Sequence, residues 1–202
     1  MSLGEQPVAE LLAKLAAKAP TPGGGAAASL AGSIAAALGS MVVAYSQGKK
    51  DSAAHEPLFT RAAEELARAR LLFLQLADED MAAYAALSRA RRLPEGDPGR
   101  LAIGELTQAA TQVPLVLMAA ATELLRLFES LAPVANRHLL SDLGIAATLA
   151  GSTARAAHWL VRINASSLES PDAEMALQSA DEMASAAGAL LAKVERACAA
   201  RT

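Results

Sequence analysis

Apolar residues recur along this chain at intervals of three and four, and clusters of Pro and Gly interrupt them, with no alternating run of the kind that makes a strand. This punctuation predicts helices over residues 6–18, 26–47, 56–92, 100–112, 114–131, 141–167 and 171–200. Pro114 stands either in a first turn or inside one continuous helix, so the count is six or seven. Connections are short and nothing reads as a linker or a repeat, which predicts an all-α, single-domain bundle over residues 1–202. In the first helix Val8, Leu11, Leu12 and Leu15 share one side. In the second, Leu30, Ile34, Leu38, Met41 and Tyr45 form a large apolar stripe, with Ser29, Ser33 and Ser40 opposite, beside Gly32 and Gly39. The expectation is a buried, Ala/Gly-rich central helix with neighbours on both faces, its Gly/Ser side admitting another helix or subunit at close range.

Composition strengthens the helical reading. Alanine supplies 51 of 202 residues and aromatics only 3%, so strong helix formers dominate. At 53% hydrophobic the chain can fill a sizeable core. Basic and acidic side chains nearly balance, 18 against 21, and no Lys/Arg block gathers, which argues against duplex nucleic acid as a partner. Cys198 is the single cysteine, so no internal disulfide forms, and no basic-then-apolar signal opens the sequence; the expected compartment is the cytoplasm. Residues 26–45 carry no charge and are long enough to cross a bilayer. Their apolarity rests on Ala and Gly interspersed with Ser, which favours a buried helix over a membrane span.

Two constellations could carry chemistry. Pro20-Thr21-Pro22-Gly23-Gly24-Gly25 directly precedes the uncharged helix. Its glycines let a flat or anionic group approach main-chain N–H groups at the positive end of a helix. It lacks the terminal Lys-Ser/Thr of a P-loop and follows no strand. The second runs from Asn136 through Arg137, His138, Ser141 and Asp142 to Gly144. Ser141 is a good N-cap and Asp142 a favourable first-turn charge, while the same groups could supply a general acid or base; both readings stay open. Asn164 shares a face with Asp142 but lies about 33 Å further along the same helix. Asp78-Glu79-Asp80 reads as a solvated acidic turn, although Asp80 and Tyr84 share a face. Lys49 and Lys50 suit the negative end of the uncharged helix and equally a carboxylated ligand. His55, His138 and His158 are too scattered to suggest a metal site.

Together these blocks resemble the cyclodeaminase domain of formiminotransferase-cyclodeaminases and the related bacterial methenyltetrahydrofolate cyclohydrolases, over almost the whole chain. The resemblance rests on Pro20 to Gly25, Ser40-Met41-Val42 leading to Gly48-Lys49-Lys50, Asp78-Glu79-Asp80 to Tyr84, Leu93-Pro94, Val113-Pro114-Leu115, Asn136, and Ser141-Asp142-Leu143-Gly144. It implies a dimer-forming helical folate enzyme, without metal or other cofactor, acting on the one-carbon bridge of tetrahydrofolate. One reaction among relatives eliminates ammonia from 5-formiminotetrahydrofolate; the other hydrates 5,10-methenyltetrahydrofolate. The resemblance assigns catalysis to Asp142, Ser141 and Asn136. Substrate binding falls to Pro22, Gly23, Gly24, Gly25, Lys49, Lys50 and Asn164. Relatives usually carry Ser where this chain has Ala26, and Asn where it has Leu160. These departures leave a non-catalytic or weakened binder of folate or another small molecule as the alternative.

Overall fold

The computed structural model describes residues 2–201, including every side chain among them except those at 50–52. Its α-helices are α1 (Val8–Ala16), α2 (Gly24–Ala44), α3 (Glu56–Arg92), α4 (Ile103–Leu131), α5 (Leu140–Ala165) and α6 (Ser170–Ala199), and no strand occurs among the described residues. Short 3₁₀ turns join several of them. α3 begins with Pro57 in its first turn and ends at Arg92, because Leu93 precedes Pro94 and is driven to extended backbone. The expected 100–112 and 114–131 helices are a single α4, with a buried Pro114 inside it.

α2 lies between α3 and α5, α4 packs against α3, α5 and α6, and α5 bridges α2, α4 and α6. One large core fills the bundle, centred on Phe59, Phe73, Met118, Phe128 and the alanine face of α5. A smaller cluster joins Leu3 and Leu11 to Ala26 and Ala77. In α1 only Leu11 is fully buried; Val8 and Leu12 face outward, because this nine-residue helix touches the bundle along a single narrow line.

The α2–α3 pair is set by a seven-residue repeat. Gly25 faces Asp80, Gly32 faces Phe73, and Gly39 faces Leu66 together with Phe128. Each seven-residue step forward on α2 is a seven-residue step back on α3, the register of antiparallel helices winding around each other. A Cβ at Gly32 would stand 2.7 Å from the Phe73 ring, so the missing side chain is what lets the ring dock on the α2 backbone. Hydroxyl groups complete the contacts: Ser33 donates to the Arg70 carbonyl at 3.1 Å and Thr153 of α5 to the Ala28 carbonyl at 3.2 Å.

This packing corrects the expected orientation of α2. The buried face is the small one, with Gly32, Ala35, Ala36 and Gly39 inside. Of the stripe of larger residues, Ile34 and Tyr45 turn outward, 48% and 60% exposed, while Leu30 and Leu38 stay half-buried against the edges of the core. Small residues bring α3 and α5 so near that no room remains for leucine-sized side chains on that side. By length and composition, Gly24–Ala44 and Pro98–Leu131 would each suffice to cross a membrane.

Candidate functional site

The glycine-rich segment is less of a loop than its sequence suggests. Thr21 and Pro22 are joined by a cis peptide bond, Gly23 is the extended N-cap residue, and Gly24 and Gly25 already form the first turn of α2. No side chain caps this end, so the first N–H groups of α2 lack intrahelical partners and point away from the helix. Asp80 comes down on that turn. A Cβ at Gly25 would overlap its carboxyl group, so only glycine permits the approach. Burial raises the Asp80 pKa above the ordinary carboxylate range. The acidic triplet is thus not one solvated turn. Asp78 accepts the Leu3 N–H at 2.9 Å and Glu79 the Gln75 amide at 2.7 Å, while Asp80 points inward.

Around this contact is a cavity of about 350 Å³. α3 contributes Asp80, Tyr84, Leu87 and Arg91, the start of α2 contributes Gly23 to Gly25, and the end of α5 contributes Leu160, Ile163 and Asn164. The Asn164 amide nitrogen donates to the Ala110 carbonyl of α4 at 2.8 Å. That carbonyl is four residues before Pro114, which has no N–H to give it. Asn164 therefore supplies the bond that the proline withholds, and the same bond fixes which end of its amide is committed, leaving the oxygen for a ligand.

The other expected site residues lie elsewhere. Pro22 is not in the cavity wall, although its neighbours Thr21 and Gly23 are. Lys49 and Asn136 line a second cavity of about 360 Å³ at the opposite end of the bundle, with Arg137, His138 and Arg201. Asn136 is engaged throughout: its N–H donates to Ser46 Oγ at 2.9 Å, its amide nitrogen to the Tyr45 carbonyl at 3.3 Å, and its side-chain oxygen accepts the His138 N–H at 3.2 Å. Ser141 and Asp142 sit in the first turn of α5 behind Leu139, the N-cap residue, so Ser141 is not the expected cap. Neither lines either of these two cavities. The Lys50 side chain lies outside the described residues. The glycine turn and Asn164 thus meet, whereas Asn136, Ser141, Asp142 and Lys49 gather at the far end of α2. Among the described residues no group of three His, Cys, Asp or Glu side chains is placed to hold a metal.

Sequence reasoning passed over Asp80 as a site residue, and a signal for it existed. Phe59, Leu66, Phe73 and Leu87 are buried at spacings of seven or fourteen, and Asp80 occupies the one carboxylate position in that line. An acid on a core stripe, opposite a glycine in the same repeat, marks a place where packing gives way to chemistry.

Fold and cavity define an all-α protein with a partly apolar cavity walled on one side by a half-buried acid. The chain matches the formiminotransferase-cyclodeaminase family profile over residues 7–185. It is 33% identical to the methenyltetrahydrofolate cyclohydrolase of Methylorubrum extorquens, over 93% of each chain. The formimidoyltransferase-cyclodeaminase of Mus musculus is 30% identical over 75% of this chain, which spans 29% of that longer protein. The crystal structure of formiminotetrahydrofolate cyclodeaminase from Thermotoga maritima superposes with a TM-score of 0.91 at 27% identity, covering 98% of both chains. This chain belongs to the formiminotransferase-cyclodeaminase family.

Proposed function

We propose that this protein is a folate one-carbon enzyme acting on the N5–N10 bridge of tetrahydrofolate, either hydrating 5,10-methenyltetrahydrofolate or releasing ammonia from 5-formiminotetrahydrofolate. The observation that carries this reading is the Asp80 carboxyl group, held at the uncapped start of α2 with its pKa raised by burial. A carboxyl group so placed exchanges protons nearer neutral pH than a solvated one. The names of the relatives support the substrate class.

In hydration, Asp80 takes a proton from water as the oxygen bonds to the methenyl carbon. It returns that proton to N5 as the carbon–N5 bond breaks, and the hydroxyl proton passes to solvent as the formyl group forms on N10. In deamination, N10 bonds to the carbon of the protonated formimino group, Asp80 carries the N10 proton to the departing nitrogen, and ammonia leaves as the methenyl ring closes. Asn164 offers its oxygen to an N–H of the pterin, and the α2 N–H groups face an electron-rich edge. A non-catalytic binder, suggested by Ala26 and Leu160, is not favoured, because acid and amide both remain in the cavity wall.

A homodimer is part of this reading, as is a cytoplasmic location. α2 turns Ala27, Ile34 and Tyr45 outward, with half-buried Leu38 and Met41 between them and no charge, a stripe about 27 Å long. A two-fold axis across its middle runs two α2 helices antiparallel and sets each glycine turn near the far end of the neighbouring copy, where Asn136, Ser141, Asp142 and Lys49 lie. In that assembly the acid–base role of Asp142 is exercised on the other copy's substrate. The test is direct: purified protein should bleach methenyl absorbance, or release ammonia as methenyl absorbance appears. Saturable folate binding without either reaction would convert the protein to a binder, and no binding at all would defeat the folate reading.

A further inference from the structure

Asp80, Tyr84, Leu87 and Arg91 fall within about 60° of one another on α3, and all four line the same cavity. From the buried end outward the face runs acid, phenol, aliphatic, cation. α5 faces the middle of this series with Leu160 and Ile163. Three arginines crowd the last turn of α3, where any cation is favoured by the helix dipole: Arg89, Arg91 and Arg92. Only Arg91 of the three lines the cavity, and its guanidinium has no salt-bridge partner among the described residues. A cation without a salt-bridge partner at the mouth of a cavity with a half-buried acid at its base describes a ligand with a protonatable head, a flat middle and an anionic tail.

We infer that Arg91 binds a tail carboxylate of the substrate and so selects glutamyl-bearing pterins. This rests on the folate reading above and extends it, since it locates the tail within the same protomer as the glycine turn. Asp80 and Arg91 are eleven residues apart, about 16 Å along the helix, and the p-aminobenzoylglutamate arm spans on the order of 12 Å. The two lengths match once both side chains are counted. Lys49, one of the two lysines suited by sequence to a carboxylated ligand, lies beyond the opposite end of α2, roughly 30 Å from Gly24. Arg91 is exposed, so the contact is screened and modest, while the open rim leaves room for tails of more than one glutamyl unit. Guanidinium suits the role because it meets a carboxylate with two parallel N–H donors.

The test compares 5,10-methenyltetrahydrofolate with 5,10-methenyltetrahydropteroate, which has the same reacting centre and no glutamate, using the full-length protein. Arg91→Ala should raise KM about three- to fivefold for the glutamyl substrate and leave kcat and the pteroate KM unchanged. Arg91→Lys should recover part of the loss, and Arg89→Ala and Arg92→Ala should match the parent. An equal KM rise for both substrates would show that Arg91 only shapes the cavity and would overturn the inference. So would an unchanged KM, or a tail-dependent loss in Lys49→Ala instead. If the parent neither hydrates these substrates nor releases ammonia from 5-formiminotetrahydrofolate, and binds none of them, the folate reading itself fails; if it acts on or binds the glutamyl and tail-less forms and only the variants disagree with expectation, this inference falls alone.

Discussion

At the scale of the residue, Asp80 concentrates cost and use in one side chain. A carboxyl group whose folded pKa is raised binds more protons in the native than in the unfolded state between the two pKa values. Stability therefore falls as pH rises from the ordinary carboxylate range through the raised value, and the deficit is complete above it. Asp80→Asn removes that dependence. Its thermal midpoint at neutral pH should equal or exceed the parent's, with the gap closing in acid. Turnover should drop by about two orders of magnitude or more, and the limb of the kcat/KM profile assigned to this group should vanish. A variant that loses stability but keeps its rate would make Asp80 a packing residue. Gly25→Ala places a methyl group where the carboxyl stands, so it should lose activity nearly as severely while retaining helicity by circular dichroism.

At the scale of the element, two devices decide how the helices meet. The first is the glycine repeat. Alanine gains up to about 1 kcal/mol over glycine inside a helix, but overpacking a filled core costs about 1–3 kcal/mol. Gly32→Ala and Gly39→Ala meet Phe73 and Phe128 and should be destabilising, whereas Gly188→Ala in α6 meets nothing within 4 Å and should stabilise. Urea denaturation would rank them. The second device is the Pro114–Ala110–Asn164 relay between α4 and α5. Asn164→Ala leaves a carbonyl without its donor and should cost about 1–3 kcal/mol, while the same change in a Pro114→Ala background should cost less, because the restored N–H serves Ala110. A double-mutant cycle measures that difference, expected at about 1 kcal/mol. Additive effects would mean that the proline and the amide act independently.

Much at this scale was legible in the sequence. The boundaries of α3 follow from Pro57 and Pro94, which restrict backbone locally whatever surrounds them. The continuity of α4 was not, because whether a proline ends a helix depends on which distant group takes over the freed carbonyl. Here that group is fifty residues later in the chain. The solvated reading of Asp80 has a local cause. Carboxylates near helical charges and caps look alike in one dimension, and only the packing of α2 on α3 turns Asp80 inward onto Gly25.

At the scale of the molecule, the outward stripe of α2 is what the bundle leaves unfinished. An uncharged helix face carrying a half-exposed Ile34 and a mostly exposed Tyr45 is unusual for a surface that meets only water. Ile34→Glu puts a charge at the middle of the expected contact between copies. Sedimentation should show a dimer for the parent and a monomer for the variant, with helicity kept. Loss of turnover in that monomer would tie the far-end cluster around Asp142 to the neighbouring copy's substrate, and full activity would confine the chemistry to one protomer.

The sequence by itself determined that the chain is helical, where most helices start and stop, and that a glycine turn begins an uncharged helix, because propensity, proline geometry and periodicity are local properties. Tertiary structure alone decided which face of that helix goes inside. Period and composition count both faces as apolar, and the choice falls to the closer approach that glycine and alanine allow. That choice sends Ile34 and Tyr45 outward, sets Asp80 on Gly25, and joins the glycine turn to Asn164 in one cavity while Lys49 and Asn136 line another.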